Sequence, residues 1–166
     1  GAEADDAPSG RHSAPSDDGD HISVRTGLVY EIAEYLAACG VCAPPDTNQR
    51  AVGETPAVFA YRLEDEPDRA LAVFNLTVDE DVSDSNPVVR FSLIFRGAPR
   101  DQLTPLEDAA RAYKHLHDLT DVKLTATSGF LSCRRVINDP PLLDTNDRWH
   151  AVDTYTATLL APPTTI

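Results

Sequence analysis

The nine residues VVRFSLIFR at 88–96 constrain the chain more than any other stretch. Val89, Phe91, Leu93 and Phe95 alternate with Arg90, Ser92 and Arg96, and a period of two sends the first set to one face of a β-strand and the second to the other. Such a strand needs neighbours to pair with and an apolar layer over one face. Ile94 breaks the alternation as an apolar residue on the otherwise wet or partnered face. Two more β-like runs come before it, AVFAYRL at 57–63 and ALAVFNLTV at 70–78, the second apolar on both faces and so a candidate central strand. The separators EDEPD and DEDVSDSNP are acidic and turn-like.

Two stretches have helical periodicity. In 26–40, Leu28, Val29, Ile32, Ala33 and Leu36 fall on one face, Gly40 suits a left-handed stop, and Pro44-Pro45 forbids continuation into a loop of Pro, Asp, Thr, Asn and Gly. The second opens at Thr104-Pro105-Leu106-Glu107, a capping-box spacing, and runs to about residue 119 with Leu106, Ala109, Ala110, Tyr113 and Leu116 as its inner stripe. Its outer pairs, Glu107 with Arg111 and Lys114 with Asp118, are worth only about 0.2–0.5 kcal/mol each. Beyond it the sequence predicts a short extended piece at 122–127, a strand at about 130–137, a loop over 138–148 and a strand at about 149–160. Runs of strands with only two helices predict an α+β domain: a mostly antiparallel sheet of four to six strands with two helices packed on one face.

A length of 166 residues suits one domain with a real core. Residues 1–20 hold six acids and one arginine with almost no large apolar side chain, which predicts a flexible acidic arm ahead of a single domain at 21–166. The 14 Lys and Arg stand against 27 Asp and Glu, and a net charge of -13 disfavours binding along nucleic-acid phosphates. No apolar run approaches the ~18 residues of a membrane span, and the first twenty residues lack the blocks of a signal peptide. An intracellular or particle-borne protein is the expectation.

Catalytic motifs are weak. Cys39-Gly40-Val41-Cys42 has CxxC spacing, but it lies at a helix C-terminus, where the dipole disfavours thiolate, and no further ligands complete a zinc site. Cys133 reads as core. His115 and His117 point to different sides of a helix. Neither a nucleophile elbow nor a glycine-rich phosphate loop is present, so no catalytic, cofactor or metal site is expected.

The adjacent Arg134 and Arg135 are the unusual feature, since neighbouring strand residues face opposite ways. If Ile137 pairs near His150, Arg134 falls opposite Asp153, and Arg135 is left for a partner outside the hairpin. The plainer reading is that both snorkel to water.

The stretches FRGAPRDQLTPLEDAARAYKHLHDLTDVKL and CRRVINDPPLLDTNDRWHAVDTYTATLLAP resemble the minor capsid or tail terminator proteins of long-tailed actinobacterial phages. The similar phrases are an R-G-x-P turn at 96–99, L-H-x-L-T-x-V at 116–122, and a Cys-Arg-Arg strand leading through a P-x-L loop to Arg-Trp at 133–149. The likeness spans about 22–162. Asp147 stands where that family usually has glycine, and the acidic arm is additional. The resemblance implies a structural virion protein assembled in the host cytoplasm. It implies a ring, commonly a hexamer, that caps the head-proximal end of the tail tube, meets the tube protein and the head connector or stopper, and lets DNA pass through its bore. Candidate contact residues are Arg90, Arg96, Arg100, Arg134, Arg135, Arg148, Trp149 and Asp153, set against acidic turns at 64–68 and 79–84. Other readings are a head completion protein of the same particle, a small ligand-binding or enzymatic α+β domain, and a monomeric adaptor.

Overall fold

The computed structural model describes residues 16–45, 55–79, 86–124 and 128–160, with side chains from residue 27 onward. The predicted arm as far as residue 15, the loop after Pro45, the acidic turn at 80–85 and the end of the extended piece at 125–127 lie outside the described residues. Helix α1 spans Ser16–Ala38, so it begins ten residues ahead of the predicted start and takes in the last five residues assigned to the arm. Its predicted face, Leu28, Val29, Ile32, Ala33 and Leu36, is buried throughout. Gly40 ends it with φ +83, the Val41 N–H reaching back to Leu36 O at 2.9 Å and the Gly40 N–H to Ala37 O at 3.0 Å, a Schellman closure of the last carbonyls.

Among the described residues seven strands follow around a second helix: β1 Ala57–Ala60, β2 Ala70–Asp79, β3 Val88–Pro99, α2 Leu103–Leu116, β4 Leu119–Lys123, β5 Gly129–Asn138, β6 Leu142–Leu143 and β7 Arg148–Leu159. They form one sheet in the order β1-β2-β3-β7-β5-β4, with β6 alongside β7. The sheet is mixed. β1 runs parallel to β2, because the segment 61–69 carries the chain back along a strand of only four residues instead of turning as a hairpin. The two-residue β6 lies inside the stretch predicted as an uninterrupted loop.

The core gathers residues from α1, α2 and the inward positions of the sheet, including Val89, Phe91, Leu93 and Phe95 as the alternation predicts. Phe91 stacks on Tyr155 at 5.5 Å and on Phe130 at 6.1 Å. Such pairs add about 0.5–1.5 kcal/mol each beyond the area they bury. Ile94, the exception in the pattern, belongs with Leu63 to a second, smaller cluster around Ala57, Phe59, Ala70 and Ala72, so that end of the sheet is apolar on both faces.

Helix α2 is rotated and shifted from expectation. It starts at Leu103, and the Asp101 carboxylate, not Thr104, caps it by accepting the Thr104 N–H at 3.0 Å. It ends at Leu116, since His117 is extended and Asp118 has φ 62, which frees Leu119 to open β4. Its buried stripe is Pro105, Asp108, Ala109, Ala112 and Leu116, whereas Leu106 and Ala110 are exposed. The cause is Asp108, a fully buried carboxylate that Arg69 grips with two bonds of 2.7 and 3.0 Å and Arg111 with a third of 2.9 Å. Buried charge is tolerated when it is paired this way. At the start of α2 Gly97 admits the helix: an added Cβ would lie 2.9 Å from Pro105 Cδ.

Candidate interaction surfaces

Three groups of charged residues are positioned by the sheet, and two of them are internal. The first is built where β3 ends. Arg96 is 3% exposed, and its guanidinium donates to the carbonyls of Glu64 and Pro67 at 2.7 Å and of Asp68 at 2.9 Å. Beside it Arg148, 7% exposed, donates to Asp65 O at 3.0 Å and pairs with the carboxylates of Asp65 and Asp68 at 3.3 Å. Burial, and then the neighbouring Arg148, lower the Arg96 pKa, while Asp68, Asp144 and Asp65 oppose that. These two arginines clamp the 61–69 segment onto the sheet. They are not the exposed contacts the sequence suggested, because the carbonyls of that loop have no strand to pair with and need donors.

Asp144 ties the same cluster to the β6–β7 turn. Its Oδ1 accepts the N–H groups of Asn146 at 2.7 Å and Arg148 at 3.0 Å, and its Oδ2 meets His150 Nε2 at 2.8 Å. Burial raises its pKa, but the bonds from Arg148, His150 and Asn146 outweigh that and hold it at about 2. An open groove runs here between Arg62, Glu64, Asp65, Arg96, Asp144, Arg148 and His150. Within it Arg96, Arg148, Asp65, Asp144 and His150 already pair within the chain, although the buried Arg148 Nε makes no hydrogen bond and faces Asp144 Oδ2 at 3.6 Å.

The second group is the arginine pair. β5 and β7 do pair, but Ile137 lies opposite Thr154, not His150, so Arg134 faces Thr156 and Asn138 faces Asp153. Register breaks between Phe130 and Ser132 and again between Arg135 and Ile137 make this alignment invisible to simple strand counting. Arg135, not Arg134, reaches the fully buried Asp153 at 3.3 Å, and Asn138 donates to the same carboxylate at 2.6 Å. The Arg135 guanidinium also lies 4.1 Å over the Tyr113 ring, and the backbone N–H of Arg135 donates to His117 Nδ1 at 3.0 Å. Arg135 thus fastens the end of α2 to the sheet, and removing it would strand a buried carboxylate. Trp149 is half-buried on β7, opposite Leu143 of β6.

The third group faces outward. Arg90, Arg100 and Arg134 are exposed, and of these Arg90 and Arg134 flank Thr156 on one sheet face. The thiols point away from redox chemistry: burial raises Cys42 to about 12, aided by Cys39, and raises Cys133 to about 12. Among the described residues no cluster of three or more His, Cys, Asp or Glu side chains could hold a metal ion.

A surface of this kind assigns no chemistry, and kinship decides more. The family model described as bacteriophage tail terminator protein matches residues 35–161, which is most of the chain. The chain belongs to the bacteriophage tail terminator family. Its role is therefore that of a structural tail terminator, a virion component that contacts other tail or head components, and the match runs from the end of α1 through every strand of the sheet. No curated protein matches the chain. Among the described residues no helix is long and apolar enough to cross a membrane. Asp147 adopts φ 63, a left-handed conformation that aspartate accepts more readily than most residues, and its carbonyl receives the Arg100 N–H at 2.7 Å. The signal the sequence reading overlooked is Asp108, whose Arg111 partner at i+3 was visible and whose spacing with Ala109, Ala112 and Leu116 marks the true stripe.

Proposed function

We propose that the chain is a ring-forming tail terminator of a long-tailed phage. Copies close side by side, commonly six in such a ring, on the head-proximal end of the tail tube, stop its growth and present a surface to the head connector or stopper. In this reading the fold acts through shape and charge without catalysis, the helices cover one face of the sheet, and assembly takes place in the host cytoplasm. The acidic N-terminal segment, whose last residues Ser16–Asp20 are the first turns of α1, precedes a single domain. The observation that carries the proposal is the terminator-family match over residues 35–161. The net charge of -13 supports it physically, because a like-charged bore repels phosphate and lets DNA slide.

The test is a phage from which this chain has been deleted, complemented or not in trans. Tails of uncontrolled length that fail to join heads are the expected result, and image reconstruction of complemented particles should place the chain between tube and connector. Deletion tails of normal length joined to heads would refute the role.

A further inference from the structure

Three cross-strand rows occupy the sheet face opposite the core. The first joins Ala72, Ile94 and Val152, the second Phe74, Ser92, Thr154 and Ile137, and the third Thr77, Arg90, Thr156 and Arg134. Residues directly opposite one another in a ladder share a face, so each row is a physical neighbourhood. None of these residues is acidic, in a chain with 27 acids, and the row beyond them, Asp79, Val88, Thr158 and Ser132, carries a single acid at its edge. The 61–69 segment packs Leu63 against the cluster of Ala57, Phe59, Ala70 and Ala72 at one end, but Arg90, Arg134 and Ile137 are exposed. Arg69, Arg96, Arg111, Arg135 and Arg148 all grip carboxylates or carbonyls within the chain, whereas the side chains of Arg90 and Arg134 have no such partner among the described residues. A surface of arginine, threonine and isolated apolar groups depleted of acids has the composition of a contact surface.

The chain also carries the complement. Glu64, Asp65 and Glu66 are exposed on the segment that Arg96 and Arg148 clamp through its carbonyls, so the backbone is fixed and the carboxylates project from a rigid base. Preorganisation of this kind lowers the cost of association. Arg90 and Arg134 lie two strands apart, about 10 Å at the backbone, within reach of two carboxylates of one loop. We infer that the acidic 64–66 loop of one copy docks on the Arg90–Thr156–Arg134 face of the next. The two surfaces are unlike and both are present in every copy; made in one direction from copy to copy the contact is heterologous and closes a ring, and a cross-linked ladder that stops at the dimer would overturn it. This inference rests on the ring reading above and specifies where neighbouring subunits touch.

The test uses assembled tails carrying the full chain. Glu66→Cys combined with Arg134→Cys, treated with a short bismaleimide, should give a ladder at integral multiples of the chain's mass, while Glu66→Cys with Lys114→Cys should give none. Arg90→Glu with Arg134→Glu should lower incorporation into tails by about tenfold or more, since like charges then face each other. Adding Glu64→Arg and Glu66→Arg to that variant should restore it. These positions are exposed, and an unchanged thermal melt confirms folding. Absence of the ladder, a cross-link to a different tail protein instead, undiminished incorporation, or failure of the fourfold variant to recover would each overturn the assignment. The deletion experiment reads tail length independently, so loss of this contact and loss of the terminator role give separate results.

Discussion

At the scale of single residues, position in the sheet outranks side-chain type. Arg90 and Arg96 stand on the same face of one strand, yet Arg90 is solvated and Arg96 is enclosed by carbonyls of the returning loop. Arg134 and Arg135 are consecutive, yet only Arg135 finds the buried Asp153. Asp147 is a residue whose conformation sets a measurable cost. With φ 63 it holds a backbone region that disfavours L side chains by roughly 1–2 kcal/mol, partly offset because glycine has more unfolded-state freedom to lose. Asp147→Gly should therefore stabilise the chain by up to about 1 kcal/mol, read as a higher midpoint in denaturant with unchanged slope. A lower midpoint would mean that the aspartate side chain itself contributes to the turn.

At the scale of elements, α2 illustrates how a charge can set a helix's rotation. Pattern alone favoured Leu106 and Tyr113 inward, but Asp108 is buried with Arg69 and Arg111 upon it, and the stripe turns to follow. Tyr113 then serves as the platform for Arg135, so α2 is held by an ion pair at Asp108 and by a cation–π contact at Tyr113. Asp108→Ala removes the carboxylate to which Arg69 makes two charged hydrogen bonds and should cost about 2 kcal/mol by chemical denaturation. Arg111→Ala should cost well under 1 kcal/mol, because that side chain is 40% exposed and its contribution is screened. Equal losses for the two variants would contradict this division.

At the scale of the whole molecule, stability should fall away at both ends of the pH range for separate reasons. Asp144 is held at about 2 against an ordinary 3.8, so the unfolded chain takes up its proton first. Its contribution is complete above about 4 and lost as pH falls towards 2. Cys42 and Cys133 are raised from 9.0 to about 12, so the unfolded chain loses these protons first. Their contribution is complete below about 9 and lost as pH rises through 12. Denaturation midpoints measured across pH should show both limbs. Cys42→Ala should make the alkaline limb shallower without abolishing it, since burial raises Cys133, Tyr35 and Tyr155 too, and should leave the acid limb in place; an unaltered alkaline limb would remove the assignment.

Much of the local grammar of the chain is legible in its sequence. The α1 face, the Gly40 stop, the inward side of β3 and the α+β class all follow from periodicity and backbone chemistry, which act over a few residues. The terminator likeness was likewise legible, because phrases such as the Gly97 turn answer to a steric demand at one place. The parallel β1, the β5–β7 register, the rotation of α2 and the fate of each arginine were decided only by the tertiary structure. Each depends on which distant group supplies a hydrogen bond or counter-charge: loop carbonyls for Arg96, Asp153 for Arg135, Arg69 for Asp108. A buried polar atom must be satisfied by whatever the fold brings to it, and sequence spacing carries no record of that neighbour.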